Sequence, residues 1–263
     1  MKLSQAPANE TELDRLASDM SEASLAERLA LVEKADLGRT VFTTSFGLED
    51  QVITDAMLTA GSTIEIVSLD TGRLFPETTD LWAETEARYG RRIPALVPEA
   101  PALEALIAEN GINGFRRSVA ARLSCCGVRK VEPLARALAG AAVWITGLRA
   151  EQSAGRTDTP LVAFDRARGV VKVSPLADWD RGALAEYALL HRVPTHPLHE
   201  RGYPSIGCAP CTRAVRPGEP ERAGRWWWED EARKECGLHL PPPSPLAPRP
   251  DATSARHNPG PTR

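Results

Sequence analysis

Thr40-Val41-Phe42-Thr43-Thr44-Ser45-Phe46-Gly47, followed by Leu48-Glu49-Asp50-Gln51-Val52-Ile53, is the stretch that decides the fold. Its first half is rich in β-branched residues and reads as a buried strand. Gly47 ends that strand, and residues 49–60 carry a helical pattern. Working outward, Leu25, Leu29 and Val32 recur at helical spacing within residues 24–37. Ile64-Glu65-Ile66-Val67-Ser68-Leu69 forms a second strand that ends at Asp70-Thr71-Gly72. Residues 76–89 read as a helix with Pro76 at its start, where a missing N–H is harmless. A weak strand at 93–97, helices at 102–109 and 128–138, and a strand at 142–146 ending at Gly147 complete the run. This alternation predicts an α/β fold, a mostly parallel twisted sheet flanked by helices. Ligands in such sheets bind beyond the carboxyl ends of the strands. Three of those ends carry small or polar residues: Ser45-Phe46-Gly47, Asp70-Thr71-Gly72 and Thr146-Gly147.

Past Gly147 the alternation weakens. Residues 161–164 and 170–173 are expected to pair as a hairpin across 166–169, and 181–191 to form a helix. The first twenty residues are polar and expected to fray. The last 23 residues hold eight of the 22 prolines, which predicts a disordered tail over 241–263. The expected organisation is a flexible 1–20, one α/β domain over 21–240 with a flexible C-terminal segment at about 216–240, and the tail.

The 263 residues balance 32 Lys and Arg against 35 Asp and Glu, a formal charge of −3. That balance gives no general attraction to nucleic acid or anionic membrane. No apolar run is long enough to cross a bilayer, and the first residues lack the apolar stretch of a secretory signal. The expected setting is cytoplasmic, where thiols stay reduced. Five cysteines there point to metal binding or reactivity rather than disulfides. Cys125 and Cys126 are adjacent, and Cys208 and Cys211 form a Cys-x-x-Cys. Two such pairs suggest one four-thiolate site. Zinc, a [4Fe–4S] cluster and unligated redox thiols are all open readings. Neighbouring side chains diverge, which suits the larger cube better than a single ion. Cys236 stands apart among polar neighbours, a candidate nucleophile with Gly237 beside it to allow movement.

At these residues the chain resembles the assimilatory adenylyl-sulfate (APS) reductases, the iron–sulfur branch of the APS/PAPS reductase family. The resemblance spans roughly residues 40 to 240. It rests on Ser-Phe-Gly-Leu-Glu-Asp at 45–50, Leu-Asp-Thr-Gly-Arg-Leu at 69–74 and Cys-Cys-Gly-Val-Arg-Lys-Val-Glu-Pro-Leu at 125–134. Thr-Gly-Leu-Arg-Ala-Glu-Gln-Ser at 146–153, Gly-Cys-Ala-Pro-Cys-Thr at 207–212, Gly-Arg-Trp-Trp-Trp-Glu at 224–229 and Glu-Cys-Gly-Leu-His at 235–239 continue it. The resemblance implies an adenine nucleotide alpha hydrolase-like fold, related to pyrophosphatase-loop enzymes. It implies one [4Fe–4S] cluster on Cys125, Cys126, Cys208 and Cys211, and Cys236 as the catalytic thiol. The implied reaction takes APS to sulfite and AMP through an S-sulfocysteine on Cys236, with thioredoxin or a similar dithiol as donor, in sulfate assimilation. The four paired cysteines favour APS over its 3′-phosphorylated relative PAPS, which remains the nearest alternative.

A thiolate attacking a sulfonyl group that already carries negative charge needs cations around it. Motif positions single out Lys130, Arg149 and Arg225: Lys130, with His239, is the expected catalytic partner of Cys236, and Arg149 and Arg225, with Arg156 and Arg222, are the expected substrate-binding cations. Arg129 is weighed evenly between site and surface. Ser45, Gly47, Asp50, Leu69, Thr71 and Gly147 are the expected nucleotide contacts. Two departures from the family stand out. Phe46 falls where the first serine of a Ser-Gly-Gly-x-Asp-Ser loop would be, with Ser45 before it. Arg156 lies one residue earlier than in some members. A tRNA-thiolating nucleotide-loop enzyme and a zinc-stapled binding module are more distant alternatives. The first lacks its intact loop and a basic surface. The second leaves Cys236 unexplained. A homo-oligomer is compatible with the sequence.

Overall fold

The structure, a computed structural model, describes residues 10–229 and Leu238. β1 (Thr40–Thr44) is the centre of a six-stranded sheet. On one side it runs parallel to β2 (Glu65–Leu69), with Phe42 opposite Ile66, and β2 in turn to β3 (Ala95–Leu96). On the other side it runs parallel to β4 (Val143–Ile145), with Val41 opposite Trp144. β6 (Val170–Val173) lies parallel to β4, and β5 (Val162–Asp165) closes the edge antiparallel to β6, as the expected hairpin. The order is β3-β2-β1-β4-β6-β5. The chain therefore builds outward from β1 in one direction, then returns to its other side. That reversal opens a crevice at the carboxyl ends of β1 and β4.

Side chains alternate between the two faces, as strand geometry requires. Phe42, Ile66, Val143 and Ile145 face a core built with α2 (Leu25–Lys34), α3 (Leu48–Thr59) and α8 (Arg181–His191). Val41, Val67 and Trp144 face the other way, against Leu134, Ala137 and Leu138, with Leu238 packed beside them. α4 (Pro76–Tyr89) starts at Pro76 and ends at Gly90, whose φ of 62° is the left-handed conformation that favours glycine. No helix among the described residues is long and apolar enough to cross a membrane.

The amino-terminal expectation needs correction. Residues 10–20 do not fray: α1 (Glu10–Ser21) buries Leu13, Leu16 and Met20 in the main core. The apolar positions lie three and four apart, a short amphipathic stripe. The corner after it is locked by a capping box, Ser24 with Glu27. The buried Arg28 adds to this, its Nε donating to the Met20 carbonyl at 2.8 Å and its Nη1 to the Pro175 carbonyl at 2.8 Å.

The helix expected over 128–138 is a π turn followed by an α-helix, and a further helix that the sequence reading did not place runs into it. α6 (Val119–Cys126) is capped by Ser118, whose hydroxyl accepts the Ala121 N–H at 3.1 Å. It passes into a π-helical turn, Gly127–Val131, and then α7 (Glu132–Ala137). The Glu132 N–H reaches back to the Gly127 carbonyl. Pro133 follows and cannot donate, so the ordinary ladder is broken where the turn widens.

Replacing Leu16 with Ala is expected to lower unfolding free energy by about 2 kcal/mol or more, the usual cost of a buried leucine. Urea denaturation followed by circular dichroism measures it. A frayed amino terminus would give no change.

Candidate functional site

The crevice at the strand ends is a cleft enclosing about 1270 Å³, including its open mouth. The loop after β1, the ends of β2 and β4, and the segment 204–225 form its walls. Gly47 caps α3 in extended conformation and offers no side chain, so the first N–H groups of the helix are left to the cleft. Phe46 takes φ 59°, a conformation usually left to glycine, and its ring is buried and stacked 5.1 Å from Trp82. Ser45 does not point freely into the cleft. Its N–H and its hydroxyl both donate to Asp50 Oδ2, at 2.6 and 2.7 Å. Burial raises the Asp50 pKa to about 7, against the pull of these bonds. Gly147 is fixed by close approach: a Cβ there would stand 2.3 Å from Asp50 Oδ1.

Most expected contacts share this cleft. Ser45, Gly47, Asp50, Leu69, Thr71, Gly147, Lys130, Arg156, Arg222 and Arg225 all line it. Arg149 does not. It is fully buried behind the wall, with Nε 2.9 Å from Glu49 Oε1 and Nη2 3.0 Å from Glu221 Oε2. Burial opposes its charge, but the two carboxylates outweigh burial and raise its pKa. The motif arginine thus braces the segments that carry Glu49 and Glu221. Cys236 and His239 lie outside the described residues, as does the tail over 241–263.

The four remaining cysteines ring a second, apolar pocket with Phe115 and Trp226. Cys125 and Cys126 come from the end of α6, and Cys208 and Cys211 from the loop around a short 3-10 turn, Ala209–Cys211. The Cys208 sulfur is 3.2 Å from Thr71 Oγ1. Burial pushes the Cys125 thiol up although Arg129 pulls it down, and pushes Cys211 up to about 12 with the Cys208 sulfur adding. Arg129 is buried here, donating to the Thr71 carbonyl at 2.6 Å, which places it with the thiols and not at the surface. Lys130 and Arg225 line both pockets.

Sequence reading passed over several wall residues. Glu49 and Gln152 sit inside quoted motifs. Gln152 Nε2 donates to Glu49 at 2.8 Å, and its Oε1 accepts from Arg156. Membership of the motif was the available signal. His199 also lines the cleft, with Nδ1 2.8 Å from the Tyr203 carbonyl and Nε2 without a hydrogen-bond partner among the described residues. Burial lowers its pKa, which disfavours the charged form. The three tryptophans divide as adjacent side chains must. Trp226 is buried, Trp227 is exposed, and Trp228 packs 6.0 Å from Phe115.

A cleft at a switch point, walled by cations and joined to a four-thiol pocket, defines an α/β protein whose site suits an anionic ligand. Comparison with known proteins narrows the class. Residues 39–214 match the phosphoadenosine phosphosulfate reductase domain. The adenosine 5′-phosphosulfate reductase of Sinorhizobium fredii is 54% identical over 231 residues, 88% of this chain and 92% of the relative. That of Agrobacterium fabrum is 55% identical over 216 residues, 82% and 83% of the two chains. The crystal structure of phosphoadenylyl-sulfate reductase from Candida auris shares the fold, with TM-score 0.68 and 24% identity over 81% of this chain and 100% of that one. The chain belongs to the APS/PAPS reductase family, oxidoreductases acting on sulfur.

Asp50 gives a pH test. Unfolded, it ionises near pH 4; in the fold it holds its proton to about 7. Between those values the folded chain binds the extra proton, so stability falls as pH rises. Urea midpoints between about pH 5 and about pH 7.5 are expected to decline more in the parent than in Asp50→Asn. Parallel pH courses in the two proteins would contradict the assignment.

Proposed function

We propose that this chain reduces adenosine 5′-phosphosulfate to sulfite and AMP, with Cys236 as the nucleophile and a thioredoxin-like dithiol protein as reductant. The observation that carries this reading is the place of Leu238, on the cleft wall. Cys236 precedes it by two residues, so the two Cα atoms lie within about 7 Å. That short span along the chain supports Cys236 as the thiol that serves this cleft.

The Cys236 thiolate attacks the sulfonyl sulfur. A Cys–S–SO₃⁻ bond forms, the S–O bond to phosphate breaks, and AMP leaves with the electron pair. One thiolate of the dithiol then attacks the Cys236 sulfur and expels sulfite with the S–S electron pair. Its second thiol resolves the mixed disulfide, restoring Cys236 and leaving the donor oxidised. The two electrons that take sulfur from sulfonyl to sulfite come from the dithiol. Lys130, Arg156, Arg222 and Arg225 line the cleft and would offset the meeting of anions; the arginines suit forked phosphate contacts and Lys130 acts as a point charge. Thr71 and Leu69 at the end of β2 suit the nucleoside, and the start of α3 suits its phosphate. His239, three residues beyond Cys236, is proposed to support the thiolate.

Cys125, Cys126, Cys208 and Cys211 fit a [4Fe–4S] cluster. They ring one apolar pocket with Arg73, Arg129, Lys130 and Arg225 around it, and an anionic four-thiolate group needs such cations. When bound, the cluster would supply a fixed charge distribution and structural support beside Lys130.

Incubation with APS and no reductant is expected to add one sulfo group to the intact chain, absent in Cys236→Ser. Normal sulfite release from Cys236→Ser would overturn the reading, and the same assay with PAPS ranks the two nucleotides. The anaerobically purified chain is expected to hold about four irons and four acid-labile sulfides. Cys208→Ser should lose most of both, and zinc without sulfide would refute the cluster.

A further inference from the structure

The segment after β4 turns twice along the cleft. Two short 3-10 turns, Ala150–Gln152 and Ala154–Arg156, are separated by Ser153 in extended conformation. Gln152 and Arg156 are four residues apart, but the extended residue between them removes the helical reason for them to meet. They meet all the same: Arg156 Nη1 donates to Gln152 Oε1. Both residues line the cleft, and Arg156 is buried.

The amide of Gln152 is saturated. Its Nε2 donates to Glu49 Oε1 at 2.8 Å and to the Gly147 carbonyl at 3.3 Å. Its Oε1 accepts the Arg149 N–H at 3.4 Å as well as the Arg156 guanidinium. Two donors and two lone pairs are all that a glutamine amide has. The orientation is forced too. Turned over, the amide would aim its oxygen at a carboxylate and a carbonyl, and its NH₂ at a guanidinium and an N–H. Glu49 is held in turn by the buried Arg149, at 2.9 Å. The head group of Gln152 is therefore fixed to the end of β4 and to the first turn of α3, while its oxygen holds Arg156.

We propose that Gln152 is a positioning residue: it holds the Arg156 guanidinium in the place where the phosphate of the nucleotide meets it. The inference rests on the reading of Arg156 as a phosphate contact and deepens it. An arginine side chain has several rotatable bonds, and ordering them as a ligand binds costs entropy. A guanidinium already held by a fixed amide has less freedom to lose. The amide oxygen also accepts from the guanidinium without bringing a charge of its own, as a glutamate there would. Because Gln152 acts through Arg156, its loss should weaken a nucleotide that carries phosphate and leave the nucleoside untouched.

The test uses the full chain, purified anaerobically, with Gln152→Met, Arg156→Ala and the double variant. Dissociation constants for AMP and for adenosine are read by titration calorimetry. Gln152→Met is expected to weaken AMP by about three- to tenfold with adenosine unchanged. In the Arg156→Ala chain the same substitution should change AMP affinity no further, the non-additivity of two groups that act as one. Unchanged AMP affinity in Gln152→Met overturns the proposal. So does a loss for adenosine in step with AMP, which would mark a general structural role. An equal further loss in the Arg156→Ala chain also overturns it, since Gln152 would then be a contact in its own right. If Gln152→Met fails to fold, Gln152→Asn decides, its amide being one methylene too short to serve both sides. The same pattern in Gln152→Asn supports the proposal, and any other result overturns it. If the parent binds no AMP, or Arg156→Ala binds it as the parent does, the phosphate reading of Arg156 and this inference fall together. If Arg156→Ala weakens AMP and Gln152→Met does not, this inference falls alone.

Discussion

The cleft depends on one enclosed positive charge. Arg149 has no solvent exposure, and a guanidinium in that position must be matched by carboxylates. Its partners, Glu49 and Glu221, come from the first turn of α3 and from the segment carrying Arg222 and Arg225. Arg149 itself follows β4, and Arg181 of α8 closes the set on Glu221. Four charges therefore join four segments that are far apart in sequence. The same arrangement decides the sign of the cleft. Glu49 and Glu221 both reach its wall and would repel a nucleotide. Arg149 and Arg181 pair with them, and Lys130, Arg156, Arg222 and Arg225 add positive charge to the wall.

Two of those cations also belong to the thiol pocket, and the backbone around them is built for that sharing. The π turn after Cys126 sits where Lys130 must face the cleft while Arg129 turns inward to Thr71. Arg225 lies flat against Gly207, where a Cβ would stand 2.2 Å from its Nη2, so only glycine admits the guanidinium. It then donates to the Ile206 carbonyl at 3.1 Å and covers the Trp226 ring at 4.9 Å. Thiols and cleft are thus two sides of one wall.

The parallel sheet was legible because strands buried on both faces read as β-branched runs, as in residues 40–45. α4 and α8 were legible from Pro76 and from apolar spacing. α1 was not: its stripe of Leu13, Leu16 and Met20 is narrow and set among acidic residues, so polarity hid it. The break between Cys126 and Pro133 was missed because a π turn leaves helical periodicity almost intact. Among site residues, those on motif positions reached the cleft together, since motifs gather at strand ends. Arg149 reads in the sequence as a bare charge, which hides the two carboxylates that enclose it. Glu221 and His199 went unread because their role comes from contacts across the fold.

Phe46 shows how a loop can keep its shape while losing its usual residues. A left-handed conformation costs a residue with a Cβ about 1–2 kcal/mol. Burying a phenylalanine ring contributes about 1.5–3 kcal/mol, and here the ring is fully enclosed against Trp82. The strain is therefore offset locally, and the loop needs no second glycine. Ser45 is then free of any need to shape the turn. Its N–H and hydroxyl converge on Asp50, which orders the start of α3 from within. With that carboxyl occupied, the N–H groups beyond Gly47 and the cations opposite them are what the loop offers an anion. On the proposed reading, the departure from the serine–glycine pattern leaves the backbone and the facing arginines, not a hydroxyl, to receive a phosphate.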